Sequence, residues 1–323
     1  MNHAVVIVSP NTAIDSYYTV PNLTVGEVNR ADAAFHTAGG KGVNAARALR
    51  TLGVRPMCVG LIGGIGGMFV RQELRREAID ATLIDCGVET RRTTTIVDRS
   101  SGRTTVVADP GPVASEASSR LMFEGAVEAA LRAKYVALAG SLPLGFNDSF
   151  YADLISVIRK SSSAMLCLDG AGPALQLAMK AGPALVKVNR AELLSALGPN
   201  AGTSPLAMAN VYRSLARNGV EVLIVTDGPR GAYVFSKASP PFRVVTQVER
   251  VVSAVGAGDT FLAGLLAALL GGAEIEAAAV AGSAAAAANV LQVGCGTLDV
   301  SDARRLVGST RVIRPLTFAE DAA

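Results

Sequence analysis

Short runs of β-branched and aliphatic residues recur along the chain at intervals that leave room for one helix between them. This alternation limits the fold more than any other feature. Residues 5–8 precede a helical pattern over about 42–52, and residues 57–62 precede another over 69–78. Further apolar runs at 135–139, 165–169, 185–188 and 222–226 are separated by helix-length segments such as 149–160 and 205–218. The rhythm is that of βαβ units, a mostly parallel sheet with helices on both faces. Strands apolar on both sides are those a parallel sheet buries completely. One sheet accommodates them all, and a chain of 323 residues is near the upper size that one α/β core absorbs.

Two stretches break the rhythm, at about 16–37 and 93–109. In the second, TTTIVD and TTVVA flank Arg99-Ser100-Ser101-Gly102, a hairpin turn in the making. No low-complexity linker, charge run or repeat of fixed period separates them from the rest. The expectation is a single domain over 1–323 into which antiparallel strands are inserted as a small accessory sheet. Such a sheet serves either as a lid or as a decorated edge.

Composition excludes several classes. Thirty basic and 27 acidic residues give a net charge of +3, aromatics are 5% and Trp is absent, so a nucleic-acid partner is not expected. The four cysteines form no CxxC pair and there are two histidines, which indicates neither zinc nor a disulfide framework and fits reduced thiols in the cytoplasm. The first residues lack the basic segment and long apolar core of a signal peptide and read as a strand. The apolar stretch at 261–290 is split by Gly271, Gly272, Glu274 and Glu276, so two packed core helices are expected there and no membrane partner.

Chemistry concentrates at two glycine corners. In VVSAVGAGDTFLAGLLAALL a strand is expected to run into Gly256-Ala257-Gly258-Asp259 and on into an apolar helix. Glycines there leave backbone N–H groups open at a helix amino end, where the helix dipole favours an anion such as a phosphoryl group. Asp259 alone is accounted for by helix capping. The second corner, Gly39-Gly40-Lys41-Gly42-Val43-Asn44, opens an earlier helix, and two such corners in one sheet can face a common crevice. Neither is a Walker A loop, because position 35 is Phe and Lys41 is followed by Gly. The glycines at 63–67 do not complete a dinucleotide-binding spacing, because position 69 is Phe.

These residues are recognisable together. GGKGVN and GAGD, with Gly140-Ser141-Leu142-Pro143, the NxxE unit at 189–192 and Thr226-Asp227-Gly228-Pro229-Arg230-Gly231 between them, resemble the PfkB (ribokinase-like) carbohydrate kinases over nearly the whole chain. The opening SPNTAID, TAGGKGVN and GSLP are similar to the branch of 1-phosphofructokinases and tagatose-6-phosphate kinases. The resemblance implies a ribokinase-like three-layer α/β/α fold with a small β-sheet lid, and transfer of phosphate from ATP to a ketohexose phosphate.

It further implies Asp259 as general base, with Gly256, Ala257 and Gly258 as an anion hole. Asp15, Gly39, Gly40 and Asn44 match sugar-hydroxyl contacts, and Ser141 a substrate contact. Lys41 matches a phosphate contact or a loop-shaping residue, and Arg91 a clamp for a substrate phosphate, where a guanidinium offers two parallel hydrogen bonds. Arg92 and Arg103 are explained as a solvated basic edge. Lys187, Asn189, Thr226, Gly228, Gly231 and Asn289 match the nucleotide site. Asn189 and Glu192 are implied to organise Mg²⁺ largely through water, although Asn followed three residues later by Glu is also a capping box. A homodimer through the lid is implied as well. A kinase for an unphosphorylated sugar or nucleoside, and a catalytically silent sugar-phosphate sensor, remain the alternatives.

Overall fold

The computed structural model describes residues 3–314 apart from 199–201 and 203. Ten strands form one sheet: β1 (Val5–Ser9), β4 (Pro56–Ile62), β5 (Asp80–Asp85), β8 (Tyr135–Gly140), β9 (Met165–Gly170), β10 (Leu185–Asn189), β11 (Val222–Thr226), β12 (Ala232–Ser236), β13 (Phe242–Val245) and β14 (Arg311–Ile313). Their order is β14-β13-β12-β11-β10-β9-β8-β1-β4-β5, and every pairing from β11 to β5 is parallel. The last three strands turn back as an antiparallel edge that no βαβ pattern announces.

Helices cover both faces. Side chains alternate along β1, so Val5 and Ile7 pack under α1 (Lys41–Thr51), α2 (Gly64–Arg76), α8 (Ala257–Leu270), α9 (Ile275–Asn289) and α10 (Val300–Val307). Val6 and Val8 face α3 (Glu116–Ala130), α4 (Phe150–Ser161), α5 (Pro173–Lys180), α6 (Arg190–Leu197) and α7 (Pro205–Ala216). This is a three-layer α/β/α arrangement, the two cores separated by the pleat of one sheet. No helix among the described residues is long and apolar enough to cross a membrane.

A second sheet has the order β3-β2-β6-β7, from β2 (Ala13–Val20), β3 (Ala33–Gly39), β6 (Arg91–Asp98) and β7 (Thr104–Ala108). Two of its pairings are antiparallel, but β2 and β6 run parallel. That pair is joined through β3, α1, β4, α2 and β5, a long crossover of the kind a parallel pairing requires. The β6–β7 turn is tied by Asp98, whose carboxylate accepts from the hydroxyls of Ser100 and Ser101, each at 2.8 Å.

Two local expectations are corrected. Residues 251–255 are not a strand but a loop, with the Val252 and Ser253 N–H groups both donating to the Val290 carbonyl at the end of α9. Helix α2 begins at Gly64, several residues before the apolar periodicity starts. Its amino end is fixed from outside by Glu89, whose carboxylate accepts from the N–H groups of Ile65 (3.0 Å) and Gly66 (2.7 Å).

Candidate active site

The amino ends of α1 and α8 meet at the carboxyl ends of the central parallel strands, beside the last residues of β3. Crevices of this kind are where open α/β sheets hold ligands. At the start of α8, Gly256 is left-handed (φ 82°), and a Cβ there would lie 2.6 Å from Cys295 Cα. Only glycine meets both conditions. No side chain caps this helix, and of its first N–H groups that of Ala257 reaches the Ala254 carbonyl at a long 3.4 Å.

Asp259 occupies the first turn but is not the cap. Its Oδ2 accepts a hydrogen bond of 2.9 Å from Asn44 Nδ2, and among the described residues no group bonds its Oδ1. The side chain is buried, with the residue 7% exposed, which leaves it reachable only from the crevice. Burial, reinforced by the nearby charge of Asp169, pushes its carboxyl up to about 7 against the opposing pull of Lys41, Lys187 and Asn44.

Two lysines lie beneath this turn. Lys187, inside β10, donates to Asp169 Oδ2 at 2.6 Å, and its Nζ is 3.0 Å from where a Gly258 Cβ would stand. An ammonium thus backs the glycine corner. Lys41, the first residue of α1, donates to Asp169 Oδ1 at 3.1 Å and to Glu192 Oε1. Burial by itself would lower the Lys41 ammonium, but Asp169, Glu192 and Asp259 outweigh it and hold it well above the ordinary lysine range. Asp169 responds conversely: burial would raise it, and Lys187 with Lys41 keeps it below the usual carboxylate range.

Asp169 was absent from the sequence candidates. Its signal was a carboxylate in the apolar run MLCLDG, since a charge buried within a strand must find a partner.

Asp15 projects from β2 against β3. A Cβ on Gly39 would fall 2.1 Å from its carboxyl carbon, so glycine at 39 is what lets the carboxylate lie there. The Gly40 N–H and the Asn44 amide beside it favour its charged form. Burial raises its pKa against Arg47 and Arg91. Arg91, the first residue of β6, donates to the Asn11 carbonyl through Nε (3.2 Å) and Nη2 (3.0 Å) and to the Asp109 carbonyl through Nη1 (3.3 Å). Burial lowers its pKa, offset by Asp15 and Asp109. Ser141 joins the same corner as acceptor from Asn11 Nδ2 at 3.1 Å. Asn11 is another residue the motif reading passed over, although it stands in SPNTAID, and its buried Oδ1 has no partner among the described residues.

The remaining candidates line the next strands. Asn189 and Glu192 form a capping box: Asn189 Oδ1 accepts from the Glu192 N–H (2.8 Å) and Glu192 Oε2 from the Asn189 N–H (2.9 Å). With its other oxygen on Lys41, Glu192 belongs to the same charged cluster as Asp169. Thr226 stands opposite Asn189 in the β10–β11 register and donates to the Val188 carbonyl at 3.4 Å. Gly228 opens a 3-10 turn, and Gly231 is left-handed with a virtual Cβ 2.0 Å from the Val244 carbonyl, a close approach only glycine permits.

Asn289 is committed elsewhere. It is fully buried, accepts from Thr260 Oγ1 (3.1 Å) and donates to the carbonyls of Gly294 and Thr297 (each 2.9 Å), which pins the turn beside Gly256. Both of its donors are used within the protein, so its amide shapes a wall of the site.

Among the described residues no group of three or more His, Cys, Asp and Glu side chains is placed to hold a metal. The donor set suits a cation that keeps its water shell and takes most of its ligands from phosphates. Glu192, with 15% of its side chain exposed, is the carboxylate that fits such a shell.

Comparison with known proteins agrees with the sequence motifs. The family model described as pfkB family carbohydrate kinase matches residues 1–302. A curated 1-phosphofructokinase from Rhodobacter capsulatus is 36% identical over 274 residues, covering 84% of this chain and 85% of the relative. The crystal structure of phosphofructokinase-2 from Escherichia coli, in complex with substrates and products, superposes with a TM-score of 0.86 at 25% identity, covering 95% of this chain and 98% of that one. A ribokinase from Arabidopsis thaliana, complexed with ribose and ATP, shares the fold at a TM-score of 0.75 and 22% identity, over 95% of this chain and 99% of that one.

Proposed function

Because the chain belongs to the pfkB family of carbohydrate kinases, a phosphotransferase family that acts on an alcohol group, we propose that it phosphorylates a ketohexose phosphate to a bisphosphate with ATP. Fructose 1-phosphate, tagatose 6-phosphate and fructose 6-phosphate are the substrates considered. The observation that carries the proposal is Asp259: a buried carboxylate in the first turn of α8, titrating near neutral pH, beside a glycine corner backed by an ammonium. The two relatives named for phosphofructokinase activity supply the substrate class.

In this reading a sugar hydroxyl donates a hydrogen bond to Asp259 Oδ1. As its oxygen forms a bond to the γ-phosphorus, the bond from that phosphorus to the β–γ bridging oxygen breaks, ADP leaves, and the hydroxyl proton passes to Asp259. The N–H groups of Gly256, Ala257 and Gly258, with Lys187 behind them, stabilise the equatorial oxygens in transit. Asp15 and Asn44 orient the sugar by its hydroxyls, and Gly39 and Gly40 leave room for it. Arg91 has two N–H donors free of protein carbonyls for the substrate phosphate, with Ser141 alongside.

Thr226, Gly228 and Gly231 border the nucleotide. Mg²⁺ bound with ATP would be held through its waters by Glu192 at the capping box, where it offsets phosphate charge. The β3-β2-β6-β7 sheet closes over the sugar and excludes water, and its exposed Phe35 and Val106, in one cross-strand row, pair two chains through the lid.

The test is a coupled ADP-release screen with fructose 1-phosphate, fructose 6-phosphate, tagatose 6-phosphate, fructose and ribose. Turnover is expected with a phosphorylated ketohexose and is lost selectively for it in Arg91→Ala. Turnover of free sugars that survives Arg91→Ala assigns the site to an unphosphorylated substrate. No transfer to any of the five leaves a sugar-phosphate sensor.

A further inference from the structure

Arg47 lies on α1 one turn beyond Asn44, 8% exposed, at the meeting point of three segments that build the site. Its guanidinium donates in five directions. Nε bonds Glu77 Oε2 (2.9 Å); Nη1 bonds Asn44 Oδ1 (3.2 Å) and the Cys295 carbonyl (3.0 Å); Nη2 bonds Thr37 Oγ1 (2.9 Å) and the Ala38 carbonyl (2.5 Å). That uses the whole donor fork of an arginine. A buried guanidinium with every N–H assigned is a fixed object, and what it touches is fixed with it.

Two of those contacts reach the chemistry. Asn44 has one acceptor and two donors to place between two carboxylates and a guanidinium. With Oδ1 claimed by Arg47, its NH₂ must face the carboxylates, where it donates to Asp259 Oδ2 and favours the charged form of Asp15 beside it. Arg47 therefore selects the amide orientation that joins the sugar-contacting acid to the base.

The second contact holds the turn at residues 294–297. Cys295 Cα sits against Gly256, its N–H donates to Tyr17 Oη at 2.9 Å, and its carbonyl takes Arg47. Tyr17 is in β2, two residues past Asp15 and on the same face. The turn that props the left-handed Gly256 is thus clamped by α1 on one side and by the small sheet on the other.

We propose that Arg47 is a positioning residue for phosphoryl transfer, acting through Asn44 and through the turn that supports Gly256. The inference rests on the kinase reading above. Charge alone does not do this work, because the contacts need a planar fork that lysine lacks.

The experiment compares Arg47→Lys, Tyr17→Phe and Asp259→Asn with the parent enzyme, using the best sugar phosphate from the screen. Arg47→Lys should lower kcat about tenfold to a hundredfold, the scale of losing a hydrogen bond to a charged group. KM for ATP should hold, and the acid limb of the kcat profile should move to higher pH as Asp259 and Asp15 lose Asn44. Tyr17→Phe deletes one oxygen, keeps the ring stacked on Phe35 (centroids 4.6 Å apart), and should lower kcat severalfold in the same direction.

Binding of ATP by calorimetry checks that each variant is folded. If Arg47→Lys does not fold, Tyr17→Phe alone decides the matter by its kcat and pH limb. Parental kcat and an unmoved acid limb in the folded variants overturn the inference while an inactive Asp259→Asn leaves the kinase reading standing. Parental activity in Asp259→Asn overturns the reading itself.

Discussion

Asp259→Asn removes a carboxyl group that the fold holds at a pKa of about 7, against 3.8 for the group in an unfolded chain. The native state therefore binds this proton more tightly than the unfolded state. The corresponding stability is fully present below pH 3.8 and is lost as pH rises to about 7. At 1.36 kcal/mol per pKa unit, ionising Asp259 costs the native state about 2 kcal/mol at pH 5 and about 4 kcal/mol at pH 8.

An amide carries no such cost. Whatever the substitution does to packing is common to both pH values, so the informative quantity is the difference, about 2.5 kcal/mol in favour of the variant at pH 8 over pH 5. For a chain of this length, with an unfolding entropy of roughly 0.7 kcal/mol/K, that is about 4 °C in the relative Tm. The assay is thermal melting of both proteins from pH 5 to 8, with kcat measured on the same samples. The parent should lose about tenfold in kcat/KM per pH unit below 7, and Asp259→Asn should lose about 10² to 10⁴-fold in kcat throughout. A relative Tm that does not change with pH, or a parent profile flat from pH 8 to 6, would refute the assignment of a raised pKa to Asp259.

Asp169→Asn should cost about 3 to 5 kcal/mol, because it strands the buried Lys187 ammonium that the carboxylate neutralises, while the partly exposed Lys41 keeps Glu192; urea unfolding measures it, and a loss under 1 kcal/mol argues that the pair is dispensable. Sedimentation equilibrium should give twice the chain mass if the exposed Phe35 and Val106 of the small sheet pair two copies. Val106→Glu should shift that equilibrium to monomer, and a monomer in the parent removes the lid-paired dimer.

Local signals carried the parts of this protein that local physics controls. Strands β1, β8, β9, β10 and β11 are legible as short apolar runs because they are buried on both faces. The glycines at 39, 40, 256 and 258 mark two helix amino ends, and the order of the motifs identifies the family. What escaped was set at a distance. The antiparallel edge β12–β14 has no period of its own, and α2 starts early because Glu89, some 25 residues away, satisfies its first N–H groups.

The site shows the same division. Asp15, Asn44 and Asp259 could be named from motifs, but Asn289 turned out to have its donors spent on the turn at 294–297. Asp169, Asn11 and Arg47 belong to no glycine signature and gain meaning only from their partners. A sequence determines which residue types stand at the ends of strands and helices, since propensity and periodicity act over a few residues. Which charges face one another, and so whether a carboxylate is a spectator or a base poised near neutral pH, depends on burial and on neighbours brought from 100 or more positions away. Desolvation and Coulomb interaction act through space, and only the folded chain fixes those distances.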